Sequence, residues 1–139
     1  MTDPLRIVIP GAMRGKGRPK FSQRGGFVRV YTDAQTVSAE NWVKTCAIEQ
    51  VGNPVLQGPL SVSVAISVGI PDSWSKKKRA AALSGEIRPT GKPDFDNTTK
   101  LICDALNGIV WKDDAQITDA RFSKRYAETP ETSVTVIAA

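Results

Sequence analysis

The stretch LSVSVAISVGI, Leu60–Ile70, alternates apolar with small polar residues along its full length. Successive side chains of a strand point to opposite faces, so this spacing predicts a long strand with one face buried. A half-buried strand of this kind fits one sheet with helices packed on it. Upstream, LRIVIPG, Leu5–Gly11, reads as a second strand closed by Pro10 and Gly11. In GRPKFSQRGGFVRVY, Gly17–Tyr31, the pair Gly25-Gly26 lies between Phe21 and Phe27-Val28. That pattern suits a hairpin or a mobile basic loop. Thr32 or Asp33 then caps a helix running to about Val51, with Ala39, Trp42, Val43, Cys46 and Ala47 at core spacing.

Downstream, a second helix is expected from Ser73 to near Gly85, with the cations Lys76–Arg79 in its first turns. The helix dipole favours anions there, so the run is either a solvated face or a phosphate contact. A third helix is expected over Asn97–Asn107, with Gly108 as its natural stop. IVWKDD reads as a short strand or turn, AQITDARFSKRYAE as a longer strand, and TSVTVIAA as the last. The order β, α, β, α, α, β, β implies an α+β (mixed α/β) fold, a single domain over residues 1–139. It should hold one mixed β-sheet with about three helices packed on it.

Composition narrows the chemistry. Apolar residues at 40% and charged ones at 24% are ordinary for a soluble globular chain, and 139 residues suffice for a real core. No apolar run reaches the length of a membrane span, and Met1–Pro10 lacks the apolar core of a secretory signal, so a cytoplasmic location is expected. The chain has no histidine, which excludes histidine triads and histidine-ligated zinc. Cys46 and Cys103 cannot complete a four-ligand zinc site; they read as small buried hydrophobes, with one disulfide as the alternative. Acid–base or metal chemistry must therefore use carboxylates and lysine. Lys and Arg number 19 against 14 acids, and this excess favours a polyanionic partner. Basic residues gather between Arg14 and Arg29, at Lys76–Arg79, and at Arg121, Lys124 and Arg125; acids gather from Asp94 to Asp119. An acidic spot framed by basic stretches suits metal-assisted work on a phosphodiester, or a plain solvated surface.

The acidic spot is KPDFDNTTKLICDAL, Lys92–Leu106. In extended backbone Asp94 and Asp96 project to one side, and Phe95 goes the other way, toward the core. Asp96 is also placed to cap the third helix. On that helix Asn97, Lys100, Asp104 and Asn107 form a polar stripe opposite Leu101, Ile102, Ala105 and Leu106. This sets Lys100 above the two aspartates. Two carboxylates about 4 Å apart repel by roughly 4 kcal/mol at an effective dielectric near 20. A cation, a proton or distance must relieve that cost, and magnesium suits a pocket of hard oxygens. Asp114 lies beyond a helix roughly 16 Å long and must double back to join them, which Gly108 permits. Taken singly, Asp96 is also a plain cap, Asp104 a structural partner of Lys100, and Asp113-Asp114 an ordinary turn.

Taken together, KPDFDNTTKLICDALNGIVWKDDAQI, Lys92–Ile117, resembles the signature of the RusA family of Holliday junction resolvases, common in prophages. That signature is D-x-D-N-x-x-K-x-x-x-D-A-L-N-G, a spacer, then D-D-x-Q before Ile or Val. Asp94, Asp96, Asn97, Lys100, Asp104 to Gly108, Asp113, Asp114, Gln116 and Ile117 match it. IPGAMRGKGRPKF, Ile9–Phe21, also resembles the family's opening strand and its K-x-R-P segment, through Lys16, Arg18 and Pro19. The resemblance implies a RusA-like fold and a homodimeric, magnesium-dependent endodeoxyribonuclease, with Mn2+ as an allowed substitute. Such enzymes nick two strands of four-way branched DNA symmetrically, in recombination and repair. It implies Asp94, Asp96 and Asp114 as metal ligands and Lys100 as the essential lysine. Lys16, Arg18, Lys20 and Arg24 would contact the DNA backbone, and Lys124 would either contact DNA or protect a sheet edge. Two other readings remain: a branched-DNA-binding protein without catalysis, and a metal-dependent nuclease of flaps or forks.

Overall fold

The computed structural model describes residues 3–15, 20–24, 27–31 and 34–139, with side chains excepted in the second and third of these segments. In chain order the elements are β1 (Leu5–Pro10), β2 (Lys20–Arg24), β3 (Phe27–Tyr31), α1 (Ala34–Val51) and β4 (Leu60–Gly69), followed by α2 (Lys76–Ser84), α3 (Phe95–Leu106), β5 (Ile117–Ala127) and β6 (Glu131–Ala138). The main sheet runs β1-β6-β4-β5. β6 lies antiparallel to both β1 and β4, while β5 runs parallel to β4, so the sheet is mixed. β2 and β3 form a separate antiparallel ribbon with Arg24 opposite Phe27, as the hairpin alternative expects, while Gly25 and Gly26 lie outside the described residues. The fold is α+β, one mixed four-stranded sheet with three helices, as the order of elements implies.

The alternation in β4 sets the layers. Leu60, Val62, Val64 and Ile66 are buried, while Ser61, Ser63 and Ala65 face the other way. Ile7 and Ile9 of β1 and Val134 and Val136 of β6 extend the same apolar face. α1 adds Val43, Cys46 and Ala47, and α3 adds Leu101, Ile102, Ala105 and Leu106. A helix of 12 residues is marginal alone. Burying Leu101, Ile102 and Leu106 contributes roughly 1.5–3 kcal/mol each, which anchors α3 to the sheet.

Three expectations need correction. Trp42 is 47% exposed, outside the core. Its indole N–H requires a partner, and it donates to the Pro10 carbonyl at 2.9 Å, at the end of β1. α2 starts at Lys76, three residues later than Ser73, because Ser75 is the residue whose hydroxyl caps it, accepting from Lys78 N at 3.2 Å. The start of α3 also differs, with consequences for the site. Cys46 and Cys103 are both free thiols, so the disulfide alternative does not hold. Among the described residues, no helix is long and apolar enough to cross a membrane.

Candidate active site

α3 begins at Phe95, two residues before the expected start. Asp94 holds the N-cap position at φ −84° and ψ 156°, and Asp96 lies in the first turn. Three expectations fail for this one reason. From the cap onward the chain turns by about 100° per residue, so Asp94 and Asp96 do not share a side as an extended pair would. Phe95 is 60% exposed instead of buried, with its ring edge-on to Phe122 at 5.1 Å. Asp96 is not the cap, and Asp94 makes no side-chain cap bond; its carboxylate instead accepts from the Asn97 amide at 2.9 Å.

The two aspartates consequently open onto different hollows. Asp94 lines a cleft of about 890 Å³ with Arg14, Gly15, Lys92 and Asn97. The Arg14 guanidinium donates to Gln35 Oε1 at the start of α1, which holds this wall of the cleft. Gly15 presses so closely on α3 that a Cβ there would meet the Asn97 Cβ at 2.8 Å and Asp94 Oδ1 at 3.3 Å. Asp96 lines a shallow depression of about 240 Å³ with Thr99, Lys100, Cys103 and Asp114.

Asp114 thus does return along the helix, and its neighbours show how. Gly108 sits at φ +81°, a conformation open to glycine at little cost, and its N–H donates to Trp111 O at 2.7 Å. Ile109 and Val110 donate back to Leu106 O at 3.0 and 3.1 Å. Their own carbonyls accept from Val55 and Leu56 at 3.0 and 2.7 Å, tying the turn to the segment before β4. Trp111 is fully buried, and its indole N–H donates to Asn107 Oδ1 at 2.7 Å, so Asn107 braces the return.

A 3-10 turn, Asp114–Gln116, then presents Asp114. Asp113 caps it through Ala115 N at 3.2 Å. Gln116 Oε1 accepts from Lys112 N at 2.9 Å and Asp113 N at 3.1 Å, while Nε2 donates to Leu56 O at 2.9 Å and Gly58 O at 3.0 Å. Gln116 is the positioning residue that the sequence reading passed over. The D-x-x-Q spacing is a capping box, and that was the signal available.

The depression offers hard donors. The Cys103 thiol is pushed up to about 11, first by burial and then by the negative charges of Asp114 and Asp104. Beside it, the carboxylates of Asp96 and Asp114 are the hard oxygen donors of the depression. Among the described residues no three acidic or thiol side chains converge on one point. Asp96 and Asp114 are the two carboxylates of the depression that could hold a hard cation, and magnesium takes one or two carboxylates with water and phosphate oxygens in its remaining positions. Lys100 lies exposed on the same rim.

Of the basic residues singled out in the sequence, Lys16 and Arg18 lie outside the described residues. Lys20 and Arg24 are the first and last residues of β2, and their side chains too lie outside. Lys124 is half-buried on the edge strand β5; its Nζ donates to Gly91 O at 2.7 Å and Pro93 O at 2.9 Å. In the Lys76–Arg79 run, the Lys78 ammonium sits 3.9 Å over the Trp74 ring, which meets Tyr126 edge-on at 5.2 Å.

The family model described as Endodeoxyribonuclease RusA matches residues 10–137. The chain is also 35% identical over 136 residues to a Bacillus subtilis (strain 168) protein described as "Uncharacterized protein YqaN", a match covering 96% of each chain. The chain therefore belongs to the RusA family of endodeoxyribonucleases.

Proposed function

We propose that the protein is a magnesium-dependent endodeoxyribonuclease that acts as a homodimer and resolves four-way DNA junctions by paired, symmetric nicks. The observation that carries this reading is the convergence of Asp96, Lys100 and Asp114 on one solvent-open depression, in a chain of this family. Asp96 and Asp114 would hold the ion, while Asp94, the third carboxylate of the motif, lines the adjoining cleft. Bound there, magnesium supplies Lewis acidity toward a phosphodiester and lowers the pKa of water. Lys100 stabilises the negative charge that builds on the phosphorus centre. Asn97 keeps the Asp94 carboxylate oriented through its amide. Arg14 and Lys92, on the walls of the same cleft, supply positive charge to the backbone beyond the cut. Lys16, Arg18, Lys20 and Arg24, basic in sequence, would add contacts to the DNA backbone. A two-fold dimer presents two such sites to the two strands of a near-symmetric junction.

The test is cleavage of a synthetic four-way junction beside a matched linear duplex and a flap, in Mg2+, Mn2+, Ca2+ or EDTA. Paired nicks confined to the junction and dependent on Mg2+ or Mn2+ support the reading. Equal or faster cutting of the flap makes the protein a nuclease of other specificity. Tight junction binding without cutting under any metal makes it a binding protein and removes the catalytic assignment.

A further inference from the structure

Residues 86–94 are in neither helix nor strand, so the place of Asp94 depends on what ties this segment down. Phe122, Lys124 and Tyr126 alternate along β5 and share one face, with exposed Ser123 and Arg125 between them. The Phe122 ring meets Phe95, the residue after Asp94. Lys124 Nζ donates to the carbonyls of Gly91 and of Pro93, the residue before Asp94. Asp94 is thus held between two anchors on a single strand. β5 is in turn paired with β4 along its length, Lys124 opposite the buried Ile66, which makes the support rigid.

We propose that Lys124 is a positioning residue that, with Phe122, sets Asp94 and the start of α3 for catalysis, and that it is not a DNA contact. A lysine reaching for phosphate would direct its donors to solvent. Here two of its three donors point at protein carbonyls that precede the acidic motif. The catalytic consequence rests on the nuclease reading; the tie itself can be measured without DNA.

The experiment uses the full chain with Lys124→Met, Lys124→Arg and Phe122→Leu. Amide hydrogen exchange without DNA should quicken about tenfold at Thr98, whose N–H donates to the Asp94 carbonyl at 3.1 Å, in all three variants while the amides of β4 and β6 stay protected. Junction affinity and its salt dependence should match the parent. Cutting should fall about 100-fold, the effect of a shift near 1 Å, with the loss in kcat and not in KM. Arginine should not rescue, since a planar fork cannot replace a compact ammonium between two carbonyls. Parental cutting by Lys124→Arg, or a salt slope lowered by about one in Lys124→Met, would make Lys124 a phosphate contact and overturn the proposal. Unchanged exchange at Thr98 would overturn it as well. If the parent protein cuts no junction yet the exchange still quickens, the nuclease reading fails and the loop-holding role stands.

Discussion

Gln116 provides a quantitative test of how the site is assembled. Its side chain makes the two bonds to Lys112 and Asp113 and the two to Leu56 and Gly58, joining the Asp114 turn to the segment before β4. A typical hydrogen bond contributes roughly 0.5–1.5 kcal/mol net, and three of these four are solvent-accessible, so Gln116→Ala should cost about 2 kcal/mol. For a chain of this size that lowers Tm by about 6–8 °C. Gln116→Glu is the sharper perturbation. It keeps the shape and the acceptor toward Lys112 and Asp113, but turns a carboxylate oxygen on two carbonyl oxygens. It should cost at least as much at pH 7. Those contacts raise the folded-state pKa of the introduced carboxyl, so the penalty fades as pH falls through that pKa. Urea unfolding at pH 7 and near pH 4 reads both variants, and junction cutting reports Asp114, with about a 100-fold loss expected from its displacement. A parental urea midpoint for Gln116→Glu at pH 7 would refute the reasoning.

Other expectations follow from the same geometry. Asp96→Asn should slow cutting by about 100-fold or more while keeping or tightening junction binding, because a negative charge near DNA is removed; undiminished cleavage would take Asp96 out of the chemistry. Lys16→Ala combined with Arg18→Ala should weaken binding and lower the salt slope by about two, and an unchanged slope would exclude that segment from the interface. With its pKa pushed up to about 11, Cys103 should react with iodoacetamide at pH 8 about 100-fold more slowly than an ordinary thiol, with the rate still climbing above pH 9. Peptide mass mapping separates it from Cys46, and a plateau near pH 9 would contradict the shift. Leu101→Ala, at a fully buried position on the apolar side of α3, should cost about 2–5 kcal/mol by urea unfolding; a loss near zero would mean that α3 is not anchored there.

Periodicity was enough for the framework. The two-residue repeat of Leu60–Ile70 set the buried face of β4, and the apolar side of α3 at Leu101, Ile102, Ala105 and Leu106 was legible before any contact was known. The motif from Asp94 to Ile117 carried the family, and the D-x-x-Q capping box at Asp113–Gln116 was there to be read. These are local patterns, and local propensity reports them. The start of α3 was not legible, because Asp94 and Asp96 are equally good caps in isolation. The choice of Asp94 places Phe95 and the preceding carbonyls against Phe122 and Lys124, with Lys124 lying 31 to 33 residues further along the chain. The return of Asp114 likewise depends on hydrogen bonds to Val55, Leu56 and Gly58, far away in sequence. Sequence alone determined which faces are apolar and which family the motif marks. Tertiary structure decided on which side of α3 each carboxylate opens, because long-range packing and hydrogen bonds outweigh the small difference between two nearly equivalent helix starts.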